Sequence, residues 1–209
     1  MTSLPNFMPV FLLSVLFVAG PGGATAQEAD TTDPLSLPGL EIPPQPQESD
    51  VPYVPTPEPV VDRKLEMADI DETDVVYDLG SGDGRIVIRA ARKYGARGVG
   101  IEIDPKRVRE ARRNAEDAGV SNLVEFRQGD LFKADFSEAT AVTLYLLPSV
   151  NQKLRPLLFD QLTPGTPVVS HDFDMGEWAP EKTVEVTGDL IHRWTIPEEI
   201  PDHLKDDRQ

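Results

Sequence analysis

The stretch Val75–Val87 constrains the fold of this chain most, because it predicts a buried strand, a glycine turn and a helix in direct succession. Gly80, Gly82 and Gly84 alternate along the turn, and glycine lets a ligand approach the main chain closely. The helix begins near Arg85, so its unpaired N–H groups and the positive end of its dipole face the same ligand. The stretch therefore predicts a binding site at the turn.

Strands and helices alternate after this turn, which indicates the α/β class with right-handed crossovers between parallel strands. We expect a doubly wound, mostly parallel, seven-stranded Rossmann-like sheet that ends in an antiparallel C-terminal hairpin through Thr187–Asp189. Thr56 is predicted to cap a first helix that starts at Pro57, and the helix after the glycine turn is predicted over Arg85–Tyr94. Asp104 is predicted to cap the next helix, whose apolar stripe is Val108, Ala111 and Ala115. The predicted strands cover residues 75–79, 98–103, 122–128, 141–147, 168–171, 182–186 and 191–196.

The composition excludes several classes of protein. The chain has no cysteine, which excludes disulfides, thiolate nucleophiles and cysteine-based zinc sites. A net charge of −16 predicts no nucleic-acid partner, because proteins that bind nucleic acid carry a basic excess. Half of the twenty basic residues lie on or near two predicted helices, between residues 85 and 113. They form either a basic face for an acidic protein or anionic lipid, or an ordinary solvated surface. We expect a monomer.

The N-terminal residues resemble an export signal. Residues 1–26 contain no charged side chain, and the apolar run Met8–Ala19 precedes the cleavage pattern Ala24-Thr25-Ala26. The run is shorter than the about 20 residues of a membrane span. We therefore expect a signal peptide and an exported, periplasmic or secreted protein; an uncleaved membrane anchor is the alternative. Residues 27–50 are predicted as a disordered, acidic, proline-rich linker, residues 51–197 as the folded domain, and residues 198–209 as a charged tail.

Acidic residues stand at the ends of three successive predicted strands: Asp78, Glu102 and Asp130. Ligands of open α/β sheets bind at these carboxyl ends. Arg85 occupies the place of the third glycine in a dinucleotide motif, so the pattern is D-x-G-x-G-x-G instead of G-x-G-x-x-G. A carboxylate at Asp78 fits a ligand ammonium, which indicates the amino-acid part of S-adenosylmethionine rather than NAD.

The other two acids fit an adenosine group. Glu102 is placed to accept hydrogen bonds from both ribose hydroxyls. Asp130 is placed to accept one from an adenine amino group, with Leu131 packed beside the ring. Each has an alternative, since Glu102 could cap the next helix and Asp130 could be a turn residue. The three positions together favour the methyl donor.

This pattern resembles the donor site of the class I, seven-strand methyltransferases, over about residues 51–197. A narrower resemblance is to the lysine methyltransferases that modify the ATP synthase c-subunit and related membrane proteins. It rests on Val51-Pro-Tyr-Val-Pro-Thr-Pro57, Asp78-Leu-Gly-Ser-Gly-Asp-Gly-Arg-Ile86, Leu147-Pro-Ser149, Val168-Val-Ser170 and Trp178-Ala-Pro180. The resemblance implies S-adenosyl-L-methionine as cofactor and a protein lysine as acceptor, with membrane proteins among the candidate substrates. The predicted donor contacts are Thr56, Asp78, Gly80, Ser81, Gly82, Gly84, Glu102, Asp130 and Leu131.

Methyl transfer is an in-line displacement, so catalysis comes mainly from holding the acceptor and the donor collinear. A lysine acceptor must be neutral, and burial in an aromatic slot lowers its pKa. By the resemblance, the acceptor site lies at the end of the fourth strand, where Leu147-Pro-Ser149 replaces the Asn-Pro-Pro-Tyr of amide and base methylators. The residues predicted to build this catalytic slot are Tyr53, Leu147, Pro148 and His171, with Tyr145 and Asp172–Asp174 nearby.

Several alternatives stay open at this point. Tyr53 could instead pin the linker to the core, and His171 could be a hydrogen-bonded surface residue. The acceptor could be a small molecule. A non-catalytic binding protein with the donor fold is a further alternative, because exported proteins meet little of a cytoplasmic cofactor. His171, Asp172 and Asp174 form a candidate metal cluster in the sequence, but methyl transfer to nitrogen requires no metal and their spacing matches no known metal site, so we predict none.

Overall fold

The computed structural model describes residues 54–205. The predictions for Tyr53, for the signal peptide at 1–26 and for the linker at 27–50 lie outside the described residues. The helices are α1 Glu58–Met67, α2 Arg85–Tyr94, α3 Pro105–Asp117, α4 Pro148–Gln161 and a short 3₁₀ helix, Asp202–Leu204. The strands are β1 Val75–Leu79, β2 Arg97–Glu102, β3 Val124–Gln128, β4 Ala141–Leu144, β5 Pro167–His171, β6 Lys182–Val186 and β7 Asp189–Thr195.

The sheet has seven strands in the order β3-β2-β1-β4-β5-β7-β6. Strands β1 to β5 are parallel, and β7 runs antiparallel between β5 and β6. This confirms the predicted doubly wound sheet with a C-terminal hairpin. The chain moves outward from β1 to β3 and then returns to place β4 on the other side of β1. The carboxyl ends of β1 and β4 therefore form the switch point at which such sheets bind ligands.

Helices cover both faces of the sheet, so apolar residues of the strands are buried on either side. On one face, α1, α2 and α3 pack on a core that includes the predicted stripe of α3, Val108, Ala111 and Ala115. On the other face, α4 contributes Leu154 and Leu158. The segment after β7 that was predicted as a charged tail contains Leu204, which is buried. None of the helices within residues 54–205 is long and apolar enough to cross a membrane.

The start of α1 differs from its prediction. Pro57 is the N-cap residue, and its carbonyl accepts hydrogen bonds from the N–H groups of Val60 and Val61. The hydroxyl of Thr56 makes no capping hydrogen bond, so the prediction that Thr56 caps this helix was wrong. Its Oγ1 lies 3.5 Å from Nδ1 of His171 instead. The Thr56 side chain thus contacts His171, which is distant in the sequence, instead of capping the helix that follows it.

Strand β4 is three residues shorter than predicted. It ends at Leu144, because the chain turns and Pro148 begins α4 with Leu147 as the N-cap residue. Proline suits the first helical position, where its missing N–H costs nothing. The N–H groups of Val150 and Asn151 donate to the carbonyl of Leu147, which fixes this turn.

Gly84 connects the glycine turn to α2 and supplies the first prediction. Its φ is +80°, and a Cβ at this position would lie 2.5 Å from ring atoms of Phe126. We expect Gly84→Ala to lower the free energy of unfolding by about 2–4 kcal/mol, through left-handed strain and overpacking. Urea unfolding followed by circular dichroism measures the change.

Gly129→Ala is the matched control, because a Cβ there meets nothing within 4 Å. It should change the free energy of unfolding by no more than about 0.5 kcal/mol. Equal destabilisation by both substitutions would show that the packing of Gly84 against Phe126 does not matter.

Candidate active site

A cleft of about 360 Å³ opens at the carboxyl ends of β1, β2, β3 and β4. This volume lies within the range of small-molecule sites, about 300–1,000 Å³. Of the predicted donor contacts, those that line the cleft are Thr56, Asp78, Gly80, Ser81, Glu102, Asp130 and Leu131. Gly82 and Gly84 lie in the same turn without lining it. The structure thus brings together residues from four strand ends and from the segment before α1.

Glu102 ties the glycine turn to the end of β2. Its Oε2 accepts a hydrogen bond from the N–H of Gly82 at 2.8 Å, and its Oε1 accepts one from the N–H of Asp104 at 2.9 Å. Glu102 is 8% exposed. Each carboxylate oxygen offers a second acceptor position, so the same group can also face a ligand in the cleft.

The main chain of the turn adopts conformations that favour glycine. The φ angles are +86° at Gly80 and +54° at Gly82, where a residue with a Cβ would be strained. Between them, the hydroxyl of Ser81 is buried and has no hydrogen-bond partner within the described part of the chain. The Ser81 side chain packs over Gly100, where a Cβ would lie 2.5 Å from its hydroxyl oxygen, so glycine at position 100 leaves room for the turn.

Asp78 is 4% exposed at the end of β1. Its Oδ1 accepts a hydrogen bond of 2.6 Å from the hydroxyl of Thr143 on β4. Burial raises the pKa of Asp78 to about 6, and the Lys64 ammonium and the Thr143 hydroxyl oppose that rise. The carboxylate is therefore ionised at neutral pH and can attract a cationic group.

Lys64 is the cation that lies behind this carboxylate. It is fully buried on α1, and its Nζ donates to the carbonyl of Leu144 at 2.9 Å. Burial lowers the pKa of Lys64 to about 8, although Asp78 opposes the change. Sequence reasoning missed Lys64, yet a signal was present, because it follows Val60 and Val61 on the apolar stripe of the helix.

Asp130 closes the cleft beyond β3. Its Oδ1 accepts a hydrogen bond from the N–H of Phe132, and its Oδ2 lies 3.1 Å from Nζ of Lys133. Asp130 therefore stabilises a local turn, which agrees with the alternative that it is a turn residue. It also lines the cleft beside Leu131, so the two interpretations of Asp130 are compatible.

The wall at the β4 end is aromatic. Tyr145 lines the cleft and stacks on the ring of His171, with 3.8 Å between ring centroids. His171 is 1% exposed, so the interpretation of this histidine as a surface residue was wrong. Leu147 and Pro148 lie at the start of α4, outside the lining of the cleft, because the chain turns away after Leu146.

Comparison with known proteins agrees with this geometry. The model of the ANTKMT methyltransferase domain matches residues 78–182. The chain is also 49% identical over 144 residues to a protein-lysine N-methyltransferase of Saccharolobus islandicus, covering 68% of this chain and 89% of that protein. The chain belongs to the ANTKMT methyltransferase domain family. It is an S-adenosylmethionine-dependent methyltransferase.

Two further relatives extend the comparison. A lysine N-methyltransferase of the ATP synthase c-subunit from Xenopus laevis is 36% identical over 131 residues, which cover 63% of this chain and 57% of that protein. A Salinibacter ruber protein, solved in complex with S-adenosyl-L-homocysteine and described as an RNA methyltransferase, is 78% identical with a TM-score of 0.72. That match covers 73% of this chain and 99% of the solved chain.

The residues of the cleft fit the cofactor. S-adenosyl-L-methionine supplies a methyl group on a sulfonium, from which a nucleophile displaces it. The glycine main chain of the turn provides a cradle, and three carboxylates that line the cleft suit a cationic ligand. Asp78 would hold the ammonium, Glu102 the ribose hydroxyls and Asp130 the adenine amino group. These individual roles stay predictions.

The buried pair of Lys64 and Asp78 predicts the pH dependence of cofactor binding. Protonation of Asp78 removes the charge that attracts the ligand ammonium, so affinity for S-adenosyl-L-homocysteine should fall below about pH 6, by roughly tenfold per pH unit. In Lys64→Met, loss of the positive charge should raise the pKa of Asp78 and move this midpoint to higher pH. Calorimetric titrations between about pH 5 and 8 measure both midpoints.

Arg63→Met is the control, because it removes one positive charge from the same helix at a position with a 35% exposed side chain. Its midpoint should equal that of the wild type. Equal midpoints for all three proteins would exclude a role of Lys64 in setting the charge of Asp78.

Proposed function

We propose that the protein transfers a methyl group from S-adenosyl-L-methionine to a lysine amine of a protein. The observation that carries the proposal is the aromatic wall where Tyr145, stacked on His171, lines the cleft beside Thr56 and Leu146. The identity with the Saccharolobus protein-lysine N-methyltransferase, over most of that protein's length, supports the same acceptor.

The wall suits an amine that must lose its proton before it reacts. Phe173 adds a second ring, with 6.1 Å between its centroid and that of Tyr145. Aromatic surroundings of low dielectric lower the pKa of a lysine amine and so favour its neutral, nucleophilic form. The main task of these residues is then to hold the amine in line with the methyl group and to exclude water.

Tyr145 is not the base in this proposal. Burial raises the pKa of its hydroxyl, and the charges of Asp172 and Asp189 raise it further. The hydroxyl therefore stays protonated at neutral pH. It can donate a hydrogen bond or accept one from the acceptor amine, while the proton of the amine leaves to solvent.

The charge of the chain favours a protein acceptor over RNA. The net charge is −16, and residues 54–205 also carry more acidic than basic side chains. Three basic residues of α2 and α3 form ion pairs within the chain, since Arg89 and Lys93 contact Asp62 on α1 and Arg107 contacts Glu110. These pairs support the interpretation of the basic residues as a solvated surface.

We also propose that the chain acts outside the cytoplasm or at a membrane, as a monomer. The support for export or anchoring is the apolar run Met8–Ala19 followed by Ala24-Thr25-Ala26. The support for a monomer is that the large apolar side chains exposed within residues 54–205 are Val54 and Leu190, which form no extended patch. N-terminal sequencing of the protein from fractionated cells tests whether residue 27 is the mature terminus.

Labelling with a methyl donor tests the proposed acceptor. The full chain is incubated with donor labelled in its methyl group, together with soluble proteins, membrane proteins and total RNA from the same cells. We expect label in protein, at lysine, as located by peptide mass spectrometry. Asp78→Asn keeps the shape of the side chain but loses its charge, and should reduce labelling about ten- to a hundredfold.

Label in RNA instead of protein would contradict the proposal. Label in neither macromolecule, but in a low-molecular-weight fraction, would favour the small-molecule alternative. Binding of S-adenosyl-L-homocysteine without any labelled product would favour the non-catalytic alternative.

A further inference from the structure

Three polar atoms converge behind the aromatic wall, outside the donor cleft. They are Nε2 of His171 and one carboxylate oxygen each of Asp172 and Asp189, and all lie within 4.8 Å of one another. His171 ends β5 and Asp172 follows it, while Asp189 begins β7. Because β5 and β7 are antiparallel neighbours, the end of one strand meets the start of the other.

The distances in this cluster do not correspond to hydrogen bonds. Nε2 of His171 lies 3.6 Å from Oδ2 of Asp172 and 3.7 Å from Oδ2 of Asp189, whereas N–H···O hydrogen bonds measure about 2.7–3.2 Å. The His171 side chain is 1% exposed, and its Nε2 has no hydrogen-bond partner among residues 54–205. A buried nitrogen thus points at two carboxylate oxygens that it does not bond.

The charges of the cluster are also unbalanced. Within the described residues, neither Asp172 nor Asp189 forms an ion pair with a lysine or an arginine. Oδ1 of Asp172 accepts the N–H of Leu190, which leaves Oδ2 facing the histidine. Two carboxylate oxygens and one imidazole nitrogen therefore face one another, with no lysine or arginine of residues 54–205 paired to either carboxylate.

We propose that His171, Asp172 and Asp189 bind a divalent transition-metal cation, with Zn²⁺ as the ion that fits best. Zn²⁺ takes imidazole nitrogen and carboxylate oxygen at about 2.0–2.2 Å in tetrahedral geometry, so neighbouring ligand atoms lie roughly 3.4 Å apart. The distances from Nε2 of His171 to the two carboxylate oxygens, 3.6 and 3.7 Å, are close to this value, and the two oxygens lie within 4.8 Å of each other. Mg²⁺ and Ca²⁺ prefer sites made of oxygen alone. A water molecule would complete the coordination.

The cation has a positioning role in this arrangement. It joins the end of β5 to the start of β7, in the β6–β7 hairpin, and fixes the ring of His171, on which Tyr145 stacks. The other ring nitrogen, Nδ1, faces Oγ1 of Thr56, which lines the donor cleft. The site therefore stiffens the wall without entering the methyl transfer, and it does not depend on which acceptor the enzyme uses.

The cluster in the structure differs from the candidate cluster in the sequence. His171, Asp172 and Asp174 are neighbours in the chain, but Asp174 accepts the N–H of Gly176 and is exposed. Asp189 takes its place, from a strand that the sequence predicted to begin only at residue 191. The prediction of no metal rested on the reaction, which needs none, and on the spacing of His171, Asp172 and Asp174. The proposed cation takes no part in the reaction, and its ligands are a different set, in which Asp189 replaces Asp174.

Calorimetry with Zn²⁺ on the full chain tests the proposal, after removal of metal with EDTA and in excess Mg²⁺ to occupy exposed carboxylates. We expect one Zn²⁺ per wild-type chain. Asp189→Asn and His171→Ala should each weaken binding by at least about tenfold. Asp174→Asn and His203→Ala should bind as the wild type does, since both residues are exposed and outside the cluster.

Zn²⁺ should also raise the melting temperature of the wild type and not that of Asp189→Asn. Asparagine has nearly the shape of aspartate, so the Asp189→Asn variant should fold, and circular dichroism checks this. The test therefore does not depend on whether His171→Ala folds. Absence of stoichiometric binding in the wild type, or equal affinity in wild type and Asp189→Asn, would overturn the proposal.

Discussion

The carboxylate of Glu102 holds together the two loops that form the donor cleft. One oxygen accepts the N–H of Gly82 in the loop after β1, and the other accepts the N–H of Asp104 in the loop after β2. Hydrogen bonds to a charged group contribute about 1.5–3 kcal/mol each. The N–H groups of Gly80 and Ser81 donate to the carbonyl of Ile101, which adds main-chain bonds between the same strand ends. These bonds within the chain fix the binding face.

A buried charge pair lies beneath this face and connects the two halves of the site. Lys64 attracts Asp78 on the donor side, while its Nζ bonds the carbonyl of Leu144, the residue before Tyr145, on the acceptor side. Through Lys64, helix α1 therefore interacts with both the donor side and the acceptor side of the site. The segment before α1 does so as well, because Thr56 lines the cleft and its carbonyl accepts a hydrogen bond from Arg85.

Local sequence signals predicted the elements around the donor cleft well. β1 and α2 have the predicted bounds, because glycines mark both ends of α2, and Asp104 caps α3 through a 2.7 Å hydrogen bond from the N–H of Lys106. Local sequence signals did not predict the side-chain contacts between segments that are distant in the chain. Thr56 turns to His171 instead of capping α1, and Asp189 joins the cluster through the pairing of β5 with β7. No local pattern carries such distant contacts.

Calorimetric binding of S-adenosyl-L-homocysteine to Glu102→Gln tests the central claim most directly. A glutamine amide cannot accept at both ends, so it must oppose the N–H of either Gly82 or Asp104. We predict an affinity at least about tenfold lower than wild type, or about 1.4 kcal/mol, with the fold retained. The exposed Glu116→Gln should bind as the wild type does. Wild-type affinity in Glu102→Gln would show that this carboxylate neither forms the cleft nor holds the cofactor.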